Sequence, residues 1–124
     1  MIKKKPVFSI SARVKSFSYA TKGLFYAALH EHNMWIHMMA AIAVILCSCY
    51  YHISSSEWIM VIICIALVMA AELFNSAIEK LVDLVSPEHH PVAGMIKDIA
   101  AAAVLVCAIA AAICGLIVFI PKLL

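Results

Sequence analysis

Three carboxylates and an amide enter the end of an apolar run: Glu72, Asn75, Glu79 and Asp83, within AAELFNSAIEKLVD from 70 to 83. On a helix they fall within roughly an 80° arc of one face, and Glu72 to Glu79 spans about 10 Å of rise. Carboxylates and an amide in one line offer hard oxygens to a divalent cation and hydrogen bonds to a phosphate. Mg²⁺ takes such oxygens, keeps several waters and accepts phosphate oxygens as further ligands. Glu79 suits that role, as does Glu31 in HEHNMWIH from 30 to 37. Glu72, the deepest and most desolvated of the set, has the setting of a general base for an alcohol. Asn75 can hydrogen-bond a metal ligand or a phosphate, while Lys97, Arg13, Lys15 and Lys22 can neutralise phosphate oxygens. These parts suit phosphoryl transfer, which depends on positioning and charge cancellation. With glycine only at 23, 94 and 115, the sequence holds no glycine-rich nucleotide loop.

The elements that must position these residues are written in the composition. The 124 residues are 66% hydrophobic and 13% charged, with a mean hydropathy of +1.05, which excludes an ordinary soluble domain. A net charge of +2, with Lys3-Lys4-Lys5 the longest basic run, excludes nucleic acid as a partner. The five cysteines all lie in apolar stretches and read as small packing residues rather than disulfide or zinc positions. Met1 to Pro6 is basic without an apolar core behind it, the wrong pattern for a cleavable signal.

The fold expected is an all-α membrane protein of one domain over residues 1–124. Residues 7–30 form an amphipathic surface helix, and 34–51, 58–78 and 99–120 are long and apolar enough to span a bilayer. The second span lies in a helix continuing to Val85, and the third ends at Pro121. Strand-type alternation is absent, so a β-barrel is excluded. Ile10, Val14, Phe17, Thr21, Leu24, Phe25 and Ala28 form the apolar stripe of the surface helix, and Gly23 is a candidate bend. Ala-rich surfaces on the third span suit close helix packing.

Lysine and arginine set the expected orientation. Lys3, Lys4, Lys5, Arg13, Lys15 and Lys22 precede the first span, Lys80 and Lys97 flank the second connection, and the link from His52 to Ser56 has none. The positive-inside tendency puts the N-terminus and the second connection in the cytoplasm. Glu72 then lies about 21 Å along the helix from Trp58, and Asp83 emerges on the cytoplasmic side. Carboxylates at such depth cost a few kcal/mol and usually pair, protonate or bind something. A helix–helix hydrogen-bond network with a neutral Glu72 is the bland alternative; three acids and an amide on one face favour a site. His30, His32 and His52 read as interfacial anchors, although His30, His32, His37, His89 and His90 also leave a zinc reading open.

At these residues the sequence resembles the small prokaryotic diacylglycerol kinase family, which includes the undecaprenol kinases. The resemblance runs from about Arg13 to about Gly115 through Glu31-His32-Asn33, Ile36-His37, ELFNSAIE from Glu72 to Glu79, Asp83, SPEHH from Ser86 to His90, and Lys97-Asp98. It implies a homotrimer with active sites shared between neighbouring subunits, ATP as cosubstrate and Mg²⁺ as cofactor, in the bacterial cytoplasmic (inner) membrane. The family's base falls on Glu72, its metal ligands on Glu31 and Glu79, and its amide on Asn75. Its nucleotide contacts fall on Tyr19, Asn75, Glu79, Asp83, Glu88, His90, Lys97 and Asp98, and Arg13 and Lys15 resemble its N-terminal phosphate contacts. Two departures stand out: Trp35 replaces a common arginine near Glu31, where lipid or phosphate contacts are expected, and His89 replaces a usual tyrosine.

The expected activity is ATP- and Mg-dependent phosphorylation of a membrane lipid alcohol meeting Glu72 and Asn75. Undecaprenol is favoured by the wording of the motifs, with diacylglycerol as the alternative. Two readings of other kinds use the same acids: a small ion or proton transporter, and a scaffold whose acids only join subunits. Transporters place such groups near the midplane between repeats, whereas this stripe is off-centre and exits to one side.

Overall fold

The computed structural model describes residues 2–4 and 7–124; Met1, Lys5 and Pro6, part of the basic N-terminal run, lie outside them. Among the described residues the fold is all-helical: α1 (Ile10–His30), α2 (His32–Tyr50), α3 (Ser55–Val85) and α4 (Pro91–Leu123). The last three are long and apolar enough to cross a membrane.

Caps, not hydropathy, decide where the helices end. Ser9 accepts from the Ala12 N–H at 3.3 Å and starts α1. Ser54 and Glu57 form a reciprocal capping box, so α3 begins before Trp58. His90 accepts from the Val92 N–H through Nδ1, and Pro91 takes the first helical position of α4, where a missing N–H costs nothing. At the far end α4 runs through Pro121 to Leu123 instead of stopping at the proline. So close to a terminus, the proline sacrifices only one backbone hydrogen bond.

α1 is continuous across Gly23; the break comes at Glu31, the single non-helical residue between α1 and α2 (φ −100°, ψ 113°). Trp35 bridges that break, its indole N–H donating to the Ala28 carbonyl at 2.8 Å.

The turn after α2 is built on a strained residue. His52 has φ 48°, and the N–H groups of His52 and Ile53 return to the carbonyls of Cys49 and Ser48 at 3.4 and 3.3 Å. That is the Schellman pattern, in which the left-handed position normally belongs to glycine. Ile53 beyond it is buried with Val61 and Val118, packed by Tyr51, Trp58 and Phe119. At the same end Lys122 meets Glu57 at 3.3 Å, tying the end of α4 to the start of α3.

α3 and α4 form the most extensive helix pair, α2 packs on α3, and α1 touches α2 and α3 near its end, where Ala27 is buried. Most large apolar side chains of the three long helices face outward. Replacing His52 by glycine should raise the unfolding free energy by about 1 kcal/mol by relieving the left-handed strain. Denaturant titration in detergent micelles, followed by circular dichroism, measures it; an unchanged or lower midpoint would contradict the strained turn.

Candidate active site

The acidic stripe of α3 faces into the bundle rather than into lipid. Glu72 is 2% exposed and Asn75 3%, while Glu79 is half-buried and Asp83 exposed. One helix therefore carries its acids from the interior to the open end of the spans. The Glu72 carboxylate accepts from the Ser76 hydroxyl at 3.4 Å, and its other oxygen lies 3.6 Å from His37 Nε2. Both contacts are long, the second too long for a hydrogen bond. One turn on, the Asn75 amide N–H donates to Glu79 at 3.2 Å, leaving Asn75 Oδ1 buried without a partner.

His37 was legible as an inward residue but not as a neighbour of Glu72. Met34, His37, Ala41, Val44 and Ser48 recur at three- and four-residue steps on α2, and all are buried or half-buried. That periodicity was the available signal. His37 also lines an apolar cleft of about 280 Å³ between α2, α3 and α4, with Val61, Val68, Ala111 and Gly115 among its walls. His37 thus stands at the cleft wall and beside Glu72, which does not itself line the cleft.

A second cleft, about 220 Å³, lies at the end of α3 and the start of α4. Four residues of the expected nucleotide set line it together: Asp83, Glu88, His90 and Lys97, with Ser86 and His89 beside them. Asp83 and Lys97 are ion-paired, and the Ser86 hydroxyl donates to the Glu88 carbonyl at 3.2 Å. Asp98 is exposed on α4 and is not part of this lining.

The remaining expected site residues stand apart within one chain. Arg13, Lys15 and Tyr19 are exposed on α1, and no hydrogen bond or ion pair among the described residues joins them to either cleft. Trp35 is partly exposed, with its N–H committed to the α1–α2 break. Glu31 pairs with Lys80 at 2.9 Å, whereas Glu79 pairs with Asn75. The Lys80 contact escaped the sequence reading, because no spacing along α3 signals a partner on another element.

The donors suit Mg²⁺ in kind. Among the described residues no three His, Cys, Asp or Glu side chains gather into a metal cluster. Mg²⁺ asks less, one or two carboxylates with water and phosphate completing the shell. Glu79, Glu31 and the unpartnered Asn75 Oδ1 are oxygens of that type.

The molecule is thus of the membrane-spanning helical class, with polar groups gathered toward one end of the spans. The family model described as prokaryotic diacylglycerol kinase matches residues 18–119. The chain is 42% identical over 109 residues to undecaprenol kinase of Bacillus subtilis (strain 168), covering 88% of this chain and 89% of that protein. It is 40% identical over 110 residues to diacylglycerol kinase of Synechocystis sp., covering 88% of this chain and 63% of that protein. With diacylglycerol kinase of Escherichia coli (strain K12), identity is 33% over 100 residues, 81% of this chain and 82% of the other. The chain belongs to the prokaryotic diacylglycerol kinase family. That membership replaces the transporter and scaffold readings with a lipid kinase. Tyr19 falls inside the matched segment, and Arg13 and Lys15 precede it.

Replacing Asn75 by leucine, close in size but unable to donate to Glu79, should preserve helical content and lower turnover about 10- to 100-fold. That factor equals the roughly 1.5–3 kcal/mol of a hydrogen bond to a charged group. A steady-state phosphotransfer assay measures it, and parental turnover would remove Asn75 from the site.

Proposed function

We propose that the chain is an undecaprenol kinase, transferring the γ-phosphoryl group of ATP to the hydroxyl of undecaprenol with Mg²⁺ as cofactor. The observation that carries this reading is the burial of Glu72 beside His37, a residue that also lines the apolar cleft, at the head of a polar stripe leading toward solvent. A lipid alcohol and a nucleotide need such a meeting point, one greasy and the other wet.

The hydroxyl of the lipid meets the Glu72 carboxylate, which accepts its proton as the oxygen attacks the γ-phosphorus. The bond from phosphorus to the bridging oxygen breaks, and ADP leaves with the electron pair. The Ser76 hydroxyl reaches one oxygen of the carboxylate and His37 stands beside the other, and burial keeps the group available to the alcohol. Asp83, Glu88, His90 and Lys97 receive the nucleotide in the second cleft, where the Lys97 ammonium offsets phosphate charge. Glu31 and Glu79, with Asn75, would hold Mg²⁺, which when bound supplies charge neutralisation at the phosphate oxygens.

The lysines and arginines before α2 and around the α3–α4 connection support a cytoplasmic N-terminus in the bacterial inner membrane, on the side that holds ATP. The bare apolar stripe of α1, with Ile10, Val14 and Phe17 exposed, supports a helix lying in the headgroup layer. Arg13, Lys15 and Tyr19 make no contact with the clefts of their own chain, which supports a homotrimer whose neighbours complete each site. Undecaprenol is preferred over diacylglycerol because the relative named for it is 42% identical across nearly the whole chain.

Purified protein in mixed micelles with radiolabelled ATP and Mg²⁺ should phosphorylate undecaprenol at least about 10-fold faster than diacylglycerol, a difference of roughly 1.4 kcal/mol in barrier. Faster transfer to diacylglycerol would reassign the substrate, and transfer to neither would refute the activity. Glu72→Gln should lose nearly all turnover while still binding nucleotide; parental turnover by that variant would overturn the base assignment.

A further inference from the structure

Glu31 is the only residue between α1 and α2, and its carboxylate is only 18% exposed. A carboxylate so placed requires a cation. In this structure Lys80 of α3 supplies it: Nζ stands 2.9 Å from Glu31 Oε1 and 5.1 Å from the centre of the Tyr26 ring. Tyr26 belongs to the last turns of α1, stacked on His30 with ring centres 4.5 Å apart. The Lys80 ammonium therefore contacts both the joint and the helix before it, while 52% of its side chain faces solvent.

Resting on the reading of Glu31 as a ligand of the nucleotide's metal, we infer that Lys80 is a phosphate-positioning residue, parked on Glu31 until Mg²⁺ and nucleotide arrive. An ammonium and a divalent cation repel at a single carboxylate, so metal entry displaces Lys80 from Glu31. The phosphate oxygens brought in with the metal then form the nearest new anionic surface for the released ammonium. Lysine suits the exchange because its charge is compact and its stem flexible, with three donors that re-aim freely, whereas arginine's planar fork prefers a fixed bidentate pair. Before the exchange the pair holds the α1–α2 break closed against α3; afterwards the same charge binds the nucleotide.

The test is Mn²⁺ binding by electron paramagnetic resonance in micelles without nucleotide, together with kinetics in Mg·ATP, on Lys80→Met, Lys80→Gln, Lys80→Arg and Glu31→Gln. Lys80→Met and Lys80→Gln should bind Mn²⁺ about 5-fold more tightly than the parent, the scale of one surface-type ion pair released. Their KM for Mg·ATP should rise about 10-fold, a loss of about 1.4 kcal/mol, with kcat changing less, and Lys80→Arg, whose fork stays paired with Glu31, should recover only part of it. A purely structural tie between α1 and α3 would not tighten metal binding. Parental or weaker Mn²⁺ binding by both neutral variants overturns the role of Lys80. Parental Mn²⁺ binding by Glu31→Gln instead overturns the ligand reading of Glu31, and with it this inference.

Discussion

The whole arrangement depends on keeping the Glu72 carboxyl inside an apolar bundle. Placing a carboxylate in hydrocarbon costs a few kcal/mol even on the most lenient scale, so the surrounding helices must offset much of that cost. The contacts are sparing: the Ser76 hydroxyl of the same helix at 3.4 Å and the His37 imidazole of α2 at 3.6 Å, with no lysine or arginine among the described residues paired to it. A close cationic partner would have made Glu72 a spent counter-ion. Loose contacts leave its oxygens both directed and unsatisfied, which is the condition for a base that must take up a proton and release it.

The same economy recurs one turn along. Asn75 donates to Glu79 and leaves its own carbonyl oxygen buried and bare. Buried acceptors are rarely left so in native folds. An oxygen held in that state is prepared for a donor or cation that arrives with substrate. Glu31 shows the opposite solution: its cation is already present, but on a flexible side chain half in water. Deep groups are left wanting, and the group near the surface is satisfied by a flexible cation.

What the sequence reveals and what it hides divide along a physical line. The stripe from Glu72 to Asp83 is legible because all its members lie on one helix, where 3.6-residue periodicity alone fixes their common face. Three helices long and apolar enough to cross a membrane are legible from hydropathy for the same local reason. The contacts of His37 with Glu72, Lys80 with Glu31 and Lys97 with Asp83 each join separate elements, two helices or a helix and the α1–α2 break. They depend on packing angles and depths that no single segment encodes. Local signals also mislead where two of them compete. Gly23 suggests a bend, yet the helical run is continuous there and breaks at Glu31, while the left-handed position after α2, usually a glycine's, is taken by His52.

Helix length explains why the polar end exists at all. At 1.5 Å per residue, the 31 residues of α3 and the 33 of α4 extend about 46 and 50 Å, against a hydrocarbon layer of about 30 Å. The capping box and the Glu57–Lys122 pair anchor one end of both helices together. Their surplus length then accumulates at the other end, beyond the apolar layer, and that end holds the cleft lined by Asp83, His90 and Lys97. Counted from Ser55, about 20 residues cross the hydrocarbon, so the boundary falls between Glu72 and Asp83. The acidic stripe straddles that boundary because the anchored end sets the depth of everything after it. Shifting α3 by one turn, about 5.4 Å, toward the open end would carry Glu72 out to that boundary and lose its apolar setting.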